Sequence, residues 1–257
     1  MKIGLNISKE QKKFYRALFA LVIPITIQNF ISSAVNSADV LMLGYVGQSE
    51  LAAVSLANQF QFLLWGFFFG VTSGVTILAS QYWGKRDTDS IQAVMGIAIK
   101  ISVVVTALLS LCAILFPKQL MTIYTNDDLL RQIGASYLRI IGISYLLLSF
   151  SQVYLCAIRS MERVKLSTAI SSVALGLNVA LNAVFIFGLL GLPKLGVVGV
   201  GIATLISRVV EVSLCVADAA KAKIFKIDLK LMFGHHKLLF KDFVKYATPA
   251  HPFDNCS

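Results

Sequence analysis

The sequence predicts an all-α integral membrane protein: a bundle of six transmembrane helices with its N-terminus in the cytoplasm. The 257 residues are 57% hydrophobic and only 14% charged, whereas soluble domains carry about 25% charged residues. The apolar residues are concentrated in six long stretches, and most of the positive charge lies on one side of them. Intrinsic disorder and nucleic-acid-binding arms are excluded, because both need many charges and few large apolar residues.

Six apolar stretches each have the length of a transmembrane helix, since about 20 residues at 1.5 Å per residue cross the hydrocarbon core. Backbone polar groups in lipid must be satisfied within their own segment, so the stretches are predicted to be helical. Polar loops or loops containing Gly and Pro separate them. The predicted spans are residues 17–46, 51–80, 90–116, 132–158, 166–190 and 196–219.

The distribution of Lys and Arg predicts the orientation, because cytoplasmic loops of membrane proteins are enriched in these residues. Of the 23 Lys and Arg, seventeen lie on the side of the N-terminus, three on the other side and three within spans. This asymmetry accounts for the net charge of +10, so the expected partner is a lipid bilayer and not nucleic acid. The seventeen are Lys2, Lys9, Lys12, Lys13, Arg16, Lys85, Arg86, Arg159, Arg163, Lys165, Lys221, Lys223, Lys226, Lys230, Lys237, Lys241 and Lys245.

The first span carries a polar stripe, because Gln28, Ser32, Asn36 and Asp39 follow one another at helical spacing. An Asp at a helix centre costs about 2.5–3.5 kcal/mol on insertion scales, so this stripe is predicted to face the bundle interior or water. The alternative is that Asp39 lies solvated at the outer interface. Pro24 in the same span indicates either a static kink or a hinge, since proline removes a helix hydrogen bond.

Neutral oxygens on the fifth and sixth spans are predicted to lie in the same outer half of the membrane. Asn178 and Asn182 are four residues apart, about 20–26 Å along the helix from Lys165, and Thr204 lies about 12 Å into the sixth span. With Asp39 they form a candidate site for a hard cation or a proton. Hydrogen bonding between helices is the alternative role of the two asparagines.

Phe62, Trp65 and Phe69 share one face of the second span and are candidates to line a cavity for flat organic cations. Lipid contact and packing are the alternative roles of these aromatic side chains. Arg208 and Glu211 are three residues apart and are predicted to neutralise each other without a further role.

No enzymatic site or resident cofactor is predicted. The histidines lie outside the six spans, and the sequence contains no HExxH, GxSxG or phosphate-binding loop motif. Intramembrane catalysis needs a concentrated group of nucleophiles, bases or metal ligands. One membrane carboxylate surrounded by amides suits ion coupling better. An intramembrane lipid-modifying enzyme is therefore the less favoured class.

Four stretches resemble the multidrug and toxic compound extrusion (MATE) transporters, in the expected order over about residues 14–220. They are LVIPITIQNFISSAVNSADVLMLGYVGQSELAAVSLANQ, ILASQYWGKRD, RSMERVKLSTAISSVALGLNVALNAVFIFG and GVVGVGIATLISR. The resemblance implies a Na⁺- or H⁺-coupled antiporter that exports organic cations across the cell membrane, with two six-helix lobes around a central cavity. Flippases for lipid-linked oligosaccharides share this architecture and are the alternative transporter class.

The resemblance also implies roles for individual residues. Asp39 matches the cation or proton site of the N-terminal lobe, and Pro24 matches a bend point in the first helix. Asn178 matches a coordinating asparagine, so Asp39 and Asn178 are the metal ligands if the coupling ion is Na⁺. Asn182 stands where one branch of the family has an aspartate, and Thr204 is a looser match to the same site.

The resemblance divides the chain into three parts. Residues 1–220 correspond to the N-terminal six-helix lobe, and residues 221–250 to a cytoplasmic linker and the start of a second repeat. HHKLLFKDFVKYATPA parallels YRALFALVIP of the first span. The tail 251–257 departs from the family pattern and is interpreted as a truncation. The expected partner is therefore a missing C-terminal six-helix lobe or a second copy of the chain.

Overall fold

A computed structural model describes residues 9–191, 193–221, 231–232, 234 and 237–247 of the chain. Almost all of these residues are helical, and a 3₁₀ turn at Leu189–Gly191 follows the sixth helix. The helices are α1 (Lys9–Val46), α2 (Gln48–Gly84), α3 (Thr88–Leu115), α4 (Pro117–Tyr124), α5 (Asp128–Ser160), α6 (Val164–Phe187), α7 (Gly196–Lys221) and α8 (Lys237–Ala247).

Six helices in the described part of the chain are long and apolar enough to cross a membrane. They are α1 from Leu18 onward, α2, α3, α5, α6 and α7, and their mean hydropathies lie between 1.7 and 2.4. The predicted all-α fold with six membrane-spanning helices is therefore confirmed. Several helices extend beyond the predicted ends; α2, for example, continues to Gly84.

The segment between the third and fourth predicted spans differs from the expectation of a polar loop, because it contains the helix α4. Pro117 takes the first helical position, where its missing N–H leaves no donor unsatisfied. Met121 is fully buried against α5, and a Cβ atom on Gly134 would collide with the Met121 thioether. α5 then begins at Asp128, where the Asp127 carboxylate accepts a hydrogen bond from the Leu129 N–H at 2.8 Å.

Consecutive spans run in opposite directions, and apart from the segment that contains α4 they are joined by loops of at most eight residues. We call the end of the bundle that carries residues 85–87 and 161–163 the basic end, and the other end, which carries residues 125–127 and 188–195, the opposite end. At the basic end Asp87 caps α3 by accepting hydrogen bonds from the Ser90 N–H at 3.0 Å and the Ser90 hydroxyl at 2.6 Å. These bonds hold the pKa of the Asp87 carboxyl below its usual value.

α5 is the central helix of the bundle, because it packs against α2, α3 and α7. Small residues allow close approach: a Cβ on Gly201 of α7 would lie 3.1 Å from the Ile140 side chain, and one on Gly142 would lie 3.0 Å from Ala113. α1 is peripheral and packs mainly against α6. This arrangement leaves the polar stripe of α1 facing α6 and α7.

α8 lies across α2 and α3. The Phe243 ring is buried beside Gly74, where an added Cβ would lie 3.1 Å from it, and a Cβ on Gly70 would meet the Ala247 carbonyl oxygen at 2.6 Å. The assignment of residues 221–250 to a linker and a second repeat stays a prediction. The predicted truncated tail, 251–257, lies outside the described residues.

Candidate cation-binding site

A cavity of about 440 Å³ lies between α1, α2, α5, α6 and α7. Its volume falls within the range of small-molecule sites, but its lining is more polar than usual. Charged and amide side chains from all five helices line it. The polar lining residues are Gln28, Asn29, Ser32, Asn36, Asp39, Asn58, Gln61, Tyr137, Gln152, Arg159, Ser171, Asn178, Thr204, Ser207, Arg208 and Glu211.

A chain of hydrogen bonds joins three helices on one wall of this cavity. Asn182 of α6 donates from Nδ2 to Asp39 Oδ1 of α1 at 2.8 Å and to Asn178 Oδ1 at 3.3 Å. Asn178 Nδ2 donates in turn to Thr204 Oγ1 of α7 at 3.3 Å. The structure therefore brings together the four residues that sequence analysis selected as the candidate site.

Asn182 is the most enclosed member of this chain, with no exposed surface. Among the atoms that the structure describes, its Oδ1 is buried without a hydrogen-bond partner. A buried acceptor without a partner costs about 1–3 kcal/mol. Hard cations prefer carboxylate and amide oxygens as ligands, so an unpartnered amide oxygen on the residue that donates to the Asp39 carboxylate suits a cation.

The predicted stripe on α1 faces the cavity along its whole length, since Gln28, Ser32, Asn36 and Asp39 all line it. Thr168 of α6 donates a hydrogen bond to Gln28 Oε1 at 3.4 Å. Gln28 and Asp39 thus contact α6 at separate levels of the bundle. Pro24 lies one turn before Gln28 inside α1, which the structure describes as one continuous helix.

The aromatic prediction requires a correction. Trp65 lines the cavity, but Phe62 is not among the lining residues, and its ring is 72% exposed on the surface of α2. Residues three apart on a helix point in directions that differ by about 60°. The spacing of Phe62 and Trp65 therefore does not require both rings to face the cavity. Phe69 is also exposed, at 76%.

Sequence analysis missed the cavity residues Gln152 and Arg159 of α5. The sequence pattern assigns Arg159 to the cytoplasmic loop after the fourth span. In the structure α5 continues to Ser160, and the Arg159 side chain lines the cavity. A signal for this was available, because residues seven apart on a helix share a face. The predicted Arg208–Glu211 ion pair is present at 2.7 Å, and its members also line the cavity.

A second ion pair lies at the basic end of the bundle. Arg163, just before α6, forms two hydrogen bonds with the Asp218 carboxylate of α7 at 2.7 and 3.0 Å. The Tyr154 hydroxyl donates to the same carboxylate at 2.6 Å. The bonds to Asp218 raise the pKa of the Arg163 guanidinium. This cluster fixes α5, α6 and α7 to one another at the basic end.

Within the described residues, no group of three or more His, Cys, Asp and Glu side chains lies close enough to hold a metal ion. The MatE family model matches residues 24–184, more than half of the chain, from Pro24 through both asparagines of the site. The chain belongs to the MatE family. Its six membrane-capable helices make it a multi-pass membrane protein.

Relatives of this MatE-family chain are named as transporters or multidrug resistance proteins. The chain is 28% identical over 239 residues to the uncharacterized transporter YisQ of Bacillus subtilis, covering 91% of this chain and 51% of the relative. It is 30% identical over 205 residues to the probable multidrug resistance protein NorM of Bacillus licheniformis, covering 78% and 44%. The chain thus spans about half the length of these curated relatives.

Solved structures show the same fold. A crystal structure of MATE in the bent conformation matches with a TM-score of 0.80 at 21% identity, covering 91% of this chain and 51% of that chain. One in the straight conformation matches with a TM-score of 0.78 at 22% identity, covering 90% and 51%. The prediction of a six-helix lobe, half of a twelve-helix MATE-type fold, is therefore confirmed.

Proposed function

We propose that this chain forms the cation-binding lobe of a secondary antiporter, which exports organic cations across the cell membrane in exchange for Na⁺ or H⁺. One observation carries the proposal: Asn182 donates from Nδ2 to the Asp39 carboxylate, and the Oδ1 of the same amide is buried with no hydrogen-bond partner among the described atoms. The multidrug resistance names of several relatives support the choice of substrate class.

Exchange follows from competition for a single carboxylate. Asp39 can be neutralised by a proton, by Na⁺ or by an organic cation, and a second positive charge gains little from a carboxylate that is already neutralised. Two ligands that exclude each other at one site lower each other's apparent affinity reciprocally. Arrival of the coupling ion therefore favours release of the exported cation.

The neutral side chains determine how well each ligand fits. For Na⁺, the available oxygens are the Asp39 carboxylate, Asn182 Oδ1 and Asn178 Oδ1, with Thr204 Oγ1 next to them. For a proton, the Asp39 oxygen that does not accept from Asn182 is the acceptor. No resident cofactor is required in either case, since the coupling ion is itself cargo.

A binding measurement tests the proposal directly. The purified chain in lipid nanodiscs is titrated into rhodamine 123, a flat fluorescent cation, and anisotropy is read at rising Na⁺ concentration and at falling pH. We expect dye binding that Na⁺ or protons displace. Asp39→Asn should abolish both the binding and the displacement, since the one carboxylate left among the described residues of the cavity lining, Glu211, is already paired with Arg208.

The matched control is Asp128→Asn, which removes an exposed carboxylate that pairs with Arg131 at the opposite end. It should bind the dye as the unmodified chain does. Dye binding that survives Asp39→Asn, or that neither Na⁺ nor protons displace, would show that Asp39 is not the coupling site.

A further inference from the structure

The cavity carries a second charged group, Arg159, toward its basic end. The side chain is half-buried and its Nε donates to the Leu155 carbonyl oxygen at 3.2 Å. That carbonyl also accepts from the Ser167 hydroxyl of α6 at 3.3 Å, so the guanidinium lies at the level of Ser167. Asn182, which holds Asp39, is fifteen residues further along α6, or about 22 Å.

The remaining charges of the cavity compensate each other. Arg208 and Glu211 form an ion pair at 2.7 Å and contribute no net charge. Within the part of the chain that the structure describes, Arg159 forms no ion pair with a carboxylate. The cavity is therefore negative at Asp39 and positive at Arg159, with a neutral pair between them.

We propose that Arg159, with Gln152 and Ser171 of the same cavity lining, forms an anion-binding subsite for a carboxylate. The planar guanidinium matches a carboxylate in geometry and forms charge-assisted hydrogen bonds with it. The cavity then takes zwitterions whose ammonium group meets Asp39 while the carboxylate meets Arg159. This inference rests on the proposed function, because it uses Asp39 as the cationic anchor.

The distance between the two anchors selects the length of the ligand. In 12-aminododecanoic acid the nitrogen and the carboxyl carbon are about 15 Å apart when the chain is extended. A hydrogen bond of about 3 Å at each end brings this span close to the rise of about 22 Å along α6 between the levels of Arg159 and Asp39. Its methyl ester has the same length and ammonium group but no carboxylate, and 6-aminohexanoic acid is too short to reach both anchors.

The test measures displacement of rhodamine 123 from the purified chain in nanodiscs by these three compounds. We expect 12-aminododecanoic acid to displace the dye at a concentration about ten-fold lower than its methyl ester, a ratio that corresponds to one charge-assisted bond. 6-Aminohexanoic acid should be no better than the ester. Arg159→Gln should bring the ratio of acid to ester close to one, and Arg159→Lys should retain part of it.

Lys165→Gln is the matched control, because it removes a positive charge that is exposed at the same end but outside the cavity lining. This variant should keep the ten-fold ratio. A loss of the ratio would mean that the summed positive charge of the basic end, and not Arg159 itself, attracts the carboxylate. The ester also partitions into lipid, which changes its free concentration. Because this effect is the same for every variant, comparing the acid-to-ester ratio between variants removes it. Arg159→Lys keeps the positive charge. If it retains part of the ratio, the loss in Arg159→Gln is due to the missing charge and not to a folding defect.

Equal displacement by acid and ester from the unmodified chain would overturn the subsite. So would displacement by 6-aminohexanoic acid at the concentration of the longer compound. If rhodamine 123 binds through Asp39 and acid and ester are equal, the proposed function stands and only the subsite fails. If the dye does not bind at all, the proposed function and the subsite fail together.

Discussion

At the residue scale, the two side chains that hold the candidate cation contribute unequally. Asp39 supplies the charge, whereas Asn182 supplies one amide oxygen and a hydrogen bond that orients the carboxylate. We predict that Asn182→Ala weakens rhodamine 123 binding and Na⁺ displacement by about three- to ten-fold, the effect of losing one typical hydrogen bond. Asp39→Asn should abolish both, and the anisotropy titration measures the two variants side by side.

A conservative variant separates binding from packing. Asn182→Asp keeps the volume and adds a second carboxylate next to Asp39; two adjacent carboxylates hold a proton between them at higher pH than one does. The pH at which dye is displaced should therefore rise in this variant. An unchanged displacement pH, or an Asn182→Ala chain that binds as tightly as the parent, would place Asn182 outside the site.

The polar residues of the site could be predicted from their types and spacing, but their partners could not. A stripe at helical spacing identifies Gln28, Ser32, Asn36 and Asp39, because lipid does not tolerate such a face. The contact between Asp39 and Asn182 joins residues 143 positions apart, and no local pattern specifies it. Arg159 was missed because the end of α5 lies two residues further on than the pattern indicated, within the usual uncertainty of helix ends.

At the scale of single elements, the turn before α3 gives a testable contribution to stability. Asp87 caps the helix, and a negative charge at a helix N-terminus is also favourable to the helix dipole. We predict that Asp87→Ala lowers the free energy of unfolding by about 1 kcal/mol at neutral pH. Thermal melting of the purified chain in detergent measures the change.

The same cap predicts a pH dependence. Because the Ser90 hydrogen bonds lower the pKa of Asp87 in the folded chain, the contribution of its charge is present above the usual pKa and is lost as pH falls through the lowered value. Asp87→Asn keeps a neutral cap, so the stability advantage of the unmodified chain over this variant should begin to fall below about pH 4 and should disappear once the pH is below the lowered pKa. Asp89→Asn removes a neighbouring exposed charge and should change melting less; an equal loss would refute the cap.

The sequence predicts the helices whose length and hydropathy identify them as membrane spans. It does not predict the short amphipathic helix α4. The six spans are long enough that composition alone identifies them. α4 has only eight residues, Pro117–Tyr124, and its burial depends on the single side chain Met121 and the gap left by Gly134. Such a helix is stabilised by tertiary packing and not by its own propensity.

At the scale of the whole molecule, the asymmetric distribution of Lys and Arg predicts that the basic end faces the cytoplasm. Lys85 lies exposed at this end and Asn126 lies exposed at the opposite end. In a background with Cys112, Cys156, Cys215 and Cys256 replaced by Ser, an impermeant thiol reagent should label Asn126→Cys in intact cells. It should not label Lys85→Cys until the cells are opened.

Labelling after permeabilisation is the control for both positions, because it shows that each cysteine is reactive. Labelling of Lys85→Cys in sealed cells, with Asn126→Cys protected, would reverse the orientation. The ends of the cavity that carry Asp39 and Arg159 would then face the opposite sides of the membrane from those predicted.

The cavity is not fully enclosed by the described helices. Asn29, Asn36, Asn58 and Trp65 line it and are exposed, and the chain spans about half the length of its curated relatives. A polar rim of this kind is costly in contact with lipid. It therefore needs a second wall, which a C-terminal six-helix lobe or a second copy of the chain can supply.

We therefore predict that these 257 residues bind a cation but do not transport it alone. Alternating access needs two bodies that move around a shared site, and a face shaped for a different lobe need not fit itself, although symmetric dimers are the commonest assemblies. Purified chain in liposomes with an imposed Na⁺ or proton gradient should move ethidium no faster than empty vesicles do. A full-length relative such as NorM is the positive control. Gradient-dependent movement by the chain alone, together with a cross-linked dimer, would favour a functional homodimer.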